Sequence, residues 1–60
     1  MKVFKQFSFG GVNYSILESK AMEDEYYLIE TEKDIAIASG NLYEVIRKIM
    51  LRFEGFLWEN

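Results

Sequence analysis

Gly10-Gly11 stands between two runs of alternating apolar and polar side chains, and no other feature limits the folds open to this chain so strongly. Two adjacent glycines supply the positive φ angles that a two-residue hairpin turn requires. Folding the chain there sets Phe9 opposite Val12, Phe7 opposite Tyr14, Lys5 opposite Ile16 and Val3 opposite Glu18. Because side chains alternate across a strand, Phe7, Phe9, Val12, Tyr14 and Ile16 share one face, and Gln6, Ser8, Asn13 and Ser15 share the other. The same register sets Phe4 opposite Leu17, an apolar pair on the otherwise polar face.

Residues 20–25 are charged and irregular, as in a loop, and residues 26–32 are rich in aromatic and β-branched types, as in a strand. Glu32-Lys33-Asp34 is the next turn signal, followed by the short run Ile35-Ala36-Ile37-Ala38. With a three-residue loop, Tyr27, Ile29, Ile35 and Ile37 share one side while Tyr26, Leu28, Ala36 and Ala38 share the other. A two-residue loop shifts that register by one.

Asn41 followed by Glu44 has the spacing of a capping box, so a helix is expected to begin at Leu42. Leu42, Val45, Ile46, Ile49, Met50 and Phe53 then recur at three- and four-residue intervals, forming an apolar stripe wide enough to cover a sheet. Glu44, Arg47 and Lys48 fall on the opposite side, with Gly55 as a stop signal. Leu51 is discordant, since it lies with Arg47 and Lys48, and a helix continuing through Gly55 would bring Trp58 beside it. An apolar pair on the wet side of a helix suggests contact with something else.

The expected architecture is α+β: a four-stranded antiparallel β-meander with one C-terminal amphipathic helix on one face, in the order ββββα, as a single domain over residues 1–60. One helix covers only one side of such a sheet. In this register Phe4, Leu17, Tyr26, Leu28, Ala36 and Ala38 lie on the uncovered side. With Leu51 and Trp58 they make the expected interaction surface.

Size sharpens that expectation. A chain of 60 residues buries only about 60% of its unfolded surface, and domains this small lean on disulfides, a metal or a second subunit. This chain has no Cys and no His, so association or an unusually apolar core must serve, and it is 50% hydrophobic and 17% aromatic. A homodimer is the expectation. No apolar run reaches the roughly eighteen residues of a membrane span, and the N-terminal run is too short for a signal peptide, which points to a cytoplasmic location.

Without His or Cys the commonest proton shuttle and the strongest nucleophile are missing, and no constellation for catalysis replaces them, so the chain reads as non-enzymatic and needs no cofactor. Glu23-Asp24-Glu25 lacks the ligand spacing and bend glycine of a calcium loop. A net charge of −3 argues against a duplex nucleic acid partner, which needs clustered cations. Residues 18–34 hold seven acids against Lys20 and Lys33, a local net of −5 that leaves +2 on the remainder. Glu23, Asp24, Glu25, Glu30, Glu32 and Asp34 form the expected acidic patch.

Three functions follow as expectations. The first is a protein-interaction module that self-associates and engages a protein target. The second is an acidic mimic of nucleic acid that inhibits a nucleic-acid-binding protein. The third is single-stranded nucleic-acid binding by Lys2, Lys5, Phe4, Phe7 and Phe9 of the first hairpin, since aromatics beside lysines can stack bases. Phe7 and Phe9 are needed first in the core of a chain this small.

Overall fold

The two glycines turn the chain as their position requires, with φ of 60° at Gly10 and 79° at Gly11. They join β1 (Lys2–Phe9) to β2 (Val12–Glu18) in a computed structural model that describes residues 2–56. β3 (Tyr26–Glu30), β4 (Ile35–Gly40) and α1 (Leu42–Arg52) follow. The strands form one antiparallel sheet in the order β1-β2-β3-β4, a meander with α1 packed against it. This is the expected ββββα arrangement.

The first hairpin keeps its expected register from Phe9↔Val12 through Lys5↔Ile16. Beyond that point a bulge intervenes, so that Lys2 pairs with Glu18 and Val3 with Leu17, and Phe4 is the extra residue. Its ring meets Tyr26 edge-on with centroids 5.5 Å apart instead of standing opposite Leu17.

The second hairpin corrects the sequence-based expectation. Ile16 pairs with Leu28, and Leu28 with Ala38, which puts Leu28 on the same side as Ile16. A bulge at Ile37 then changes the phase, and Ile29 pairs with Ala36. Tyr26, Leu28 and Ala38 therefore lie on the helix side, not on the uncovered side. Residues 31–34 make the connecting turn, with Asp34 at a φ of 55° and its N–H donating to the Glu30 carbonyl at 2.8 Å. From Tyr26 to Leu28 the pairing follows the register of a three-residue loop, and beyond the bulge it follows the one shifted by a residue, so both occur in the same hairpin.

Gly40 and Asn41 set the start of α1. The Glu44 N–H donates to Asn41 Oδ1 at 2.8 Å, and the Asn41 N–H donates to Glu44 Oε1 at 3.1 Å, the reciprocal pair that the spacing predicts. At the other end the helix stops at Arg52, before Gly55, because Phe53 leaves helical geometry with φ −107° and ψ 91°. Its N–H still reaches the Ile49 carbonyl at 2.9 Å, while its ring lies among Phe7, Phe9 and Tyr14 at centroid distances of 6.1, 5.0 and 4.8 Å.

The core thus joins Ile16 and Leu28 of the sheet to Val45, Ile49 and Phe53 from the helix and its cap, all buried. Phe7, Phe9, Tyr14, Tyr26, Ile37, Ala38 and Phe56 pack around them. Of the predicted stripe, Leu42 and Ile46 are half-buried and Met50 is exposed, so the contact band is narrower than the periodicity implies. No helix among the described residues is long and apolar enough to cross a membrane.

Candidate interaction surface

The expected surface residues separate into four environments. Leu28 is fully buried, and Tyr26 is half-buried against the core. Neither is available on the reverse of the sheet. Phe4 stays 42% exposed at the margin of the helix side, beside Tyr26. Leu17 is half-buried on the reverse, as expected. Leu51 is 75% exposed on the helix, while Trp58 lies outside the described residues.

Alternation and register fill the reverse face with a different set. Val3, Leu17 and Tyr27 form one cross-strand row on it, and in the next row Ile29 and Ala36 continue from Gln6 and Ser15. Ser15, only 2% exposed and paired with Ile29, shares a hydrogen bond with Thr31 (Oγ to Oγ1, 2.8 Å) and accepts one from Gln6 Nε2 at 3.4 Å. Nearby, Asn13 Nδ2 donates to Glu32 Oε1 at 2.7 Å. The reverse is thus apolar from Val3 to Tyr27, mixed in the row of Gln6, Ser15, Ile29 and Ala36, and hydrogen-bonded beyond it. Sequence periodicity alone did not reveal this division, since it depends on which side of the sheet β3 presents Leu28.

Next to Leu51 the helix and the edge strand leave a groove of about 330 Å³, lined by Leu28, Ile37, Ala38, Lys48, Leu51 and Arg52. A second depression, lined by Glu44, Arg47, Lys48 and Leu51, adjoins it, so Leu51 and Lys48 wall both. Arg47, Lys48 and Arg52 are exposed, and the only ion pair among the described residues joins Lys33 to Glu30 at 3.8 Å. The helix surface is therefore apolar at Leu51 and positive around it. Ala38 was expected on the reverse and lies here because it follows its partner Leu28, while Ile37 was not expected because the bulge that turns it toward the helix side has no compositional signal.

The acidic residues do not form one continuous patch. Glu23, Asp24 and Glu25 lie in the connection between β2 and β3, whereas Glu30, Glu32 and Asp34 lie at the far end of β3 and in the following turn. A strand of five residues separates the groups by roughly 17 Å at about 3.3 Å per residue. Glu30 is engaged by Lys33 and Glu32 by Asn13. No group of three metal-ligating side chains is assembled among the described residues.

Phe7 and Phe9 are spent on the core. Phe7 stacks on Tyr14 at 5.4 Å, and the rings of Phe7 and Phe9 each pack against Phe53 and Phe56. The chain matches no protein family, no curated protein and no solved structure.

Proposed function

We propose that the chain is a non-enzymatic protein-interaction module that self-associates as a homodimer and engages a protein target with its remaining surface. One observation carries this reading: Leu51 stands 75% exposed on a well-formed helix, between two depressions and among exposed cations that make no ion pair with another described residue. A lone apolar side chain on a surface is ordinary, but one that rims an apolar groove offers a partner a place to bury area, at about 25 cal/mol per Å². The apolar side chains of the reverse face, Val3, Leu17, Tyr27, Ile29 and Ala36, supply a second surface for a target.

The reading is favoured over the two alternatives by how their residues are used. A mimic of nucleic acid needs a continuous acidic track, and here the acids sit at opposite ends of β3. A stacking platform needs free aromatic faces, and Phe7 and Phe9 are packed on other rings. Gel filtration with light scattering, run from low to high micromolar concentration, tests the proposal. Mass should rise toward that of two chains in the wild type, and a strict monomer throughout rejects self-association.

A further inference from the structure

Among the surfaces of the described residues, one loop complements the groove beside Leu51. In the connection between β2 and β3, Met22 is 60% exposed and is followed directly by Glu23, Asp24 and Glu25. Its conformation is held from within. The Ser19 N–H donates to the Glu25 carbonyl at 2.9 Å, closing the base, and Ser19 Oγ accepts from the N–H groups of Ala21 and Met22, each at 3.2 Å. A flexible thioether side chain is thereby presented at the tip of an acidic loop, with part of its ordering cost already met.

We infer that the groove lined by Ile37, Ala38, Lys48, Leu51 and Arg52 receives the Met22 loop of a second copy, with Glu23 and Glu25 of that loop against Lys48 and Arg52. This rests on the self-association proposed above and names its contact. Charge selects this occupant. The helix surface holds Arg47, Lys48 and Arg52 without an ion pair among the described residues, and the loop brings three consecutive acids behind an apolar anchor. Net charge divides the same way, with −5 over residues 18–34 and +2 over the rest of the chain. Like surfaces repel in this scheme: helix against helix sets cations together, and loop against loop sets acids together. Of these three arrangements loop to groove alone pairs opposite signs, and in the other acidic group Glu30 and Glu32 are already engaged by Lys33 and Asn13. Exchanged reciprocally about a two-fold axis, it is made twice and closes the assembly at two copies.

Charge reversal on each side tests the contact. Lys48→Glu with Arg52→Glu alters the groove, and Glu23→Lys with Glu25→Lys alters the loop, with circular dichroism confirming that each variant is folded. Met22→Glu provides a second loop variant that leaves every acid in place. By light scattering, each variant alone should run as a monomer where the wild type associates, and an equimolar mixture of the two charge-reversed variants should regain the wild-type mass. Association of the wild type should also fall on the order of tenfold between roughly 50 and 500 mM salt, as screening shortens the reach of the charges. A wild type that associates while the variants keep its mass, or a mixture that stays monomeric, overturns this contact and leaves the interaction module standing. If the wild type is monomeric throughout, both the contact and the self-association fall.

Discussion

Ile16 and Leu28 face each other across β2 and β3, and neither has any solvent exposure. This pair decides which side of β3 belongs to the core. It places Tyr26 and Ala38 with the helix and sends Tyr27, Ile29 and Ala36 to the reverse.

The two sides of β3 should therefore respond unequally to truncation. Leu28→Ala removes a side chain at the centre of the core, for which losses of about 2–5 kcal/mol are typical. That approaches the whole stability such a small core supplies, about 3–5 kcal/mol, so the variant should be largely unfolded in mild urea. Ile29→Ala, half-buried on the reverse, should cost clearly less. Urea midpoints compare them, and equal losses would contradict the assigned register.

At the start of the helix two substitutions separate the cap from the backbone. Asn41→Ala deletes the acceptor of the Glu44 N–H and should cost about 1 kcal/mol. Gly40→Ala should cost more. Gly40 has a φ of 141°, and an added Cβ would lie 2.9 Å from Glu44 Oε1 and 3.2 Å from Glu44 Cβ. The clash falls on a side chain already held by the capping box, so it cannot simply swing aside. Thermal melts followed by circular dichroism would give the order of the two.

Ser15 provides a polar counterpart. Ser15→Ala leaves the Thr31 hydroxyl and the Gln6 amide without their shared partner, and a loss of about 1–2 kcal/mol is expected. Asn13→Ala, which breaks an exposed hydrogen bond to Glu32, should stay within about 0.5 kcal/mol of the wild type. Urea unfolding of both variants checks the contrast.

Phe53→Ala should cost about 3–5 kcal/mol, because the ring ties the end of α1 to Phe7, Phe9 and Tyr14. Near-ultraviolet circular dichroism should lose its aromatic signal in step with the fall in urea midpoint.

Much of this fold is written locally. Gly10-Gly11 and the flanking alternation specify the first hairpin, and Asn41 with Glu44 specifies where the helix begins. Both are short-range effects, of turn geometry and of backbone capping, and need no knowledge of the rest of the chain. The side of β3 that meets the helix is not local. Residues 19–25 can carry the chain onto β2 in either phase, and the choice follows from burying Leu28 against Ile16. The bulges at Phe4 and Ile37 each insert one residue without a glycine to mark them; the first brings Phe4 to the helix side, and the second leaves Ala36 on the reverse while Ala38 goes with Leu28. Leu51 was legible because its position depends only on the helical repeat, while the groove beside it depends on the second bulge.

Sedimentation equilibrium of the wild type beside Leu51→Glu bears most directly on the helix surface as the place of self-association. Leu51 is largely solvent-exposed, so its replacement should leave the urea midpoint nearly unchanged. The wild type should then sediment as a monomer–dimer equilibrium at micromolar concentrations and the folded variant as a monomer. A variant that dimerises as tightly as the wild type, or a wild type that never exceeds the mass of one chain, would contradict the account.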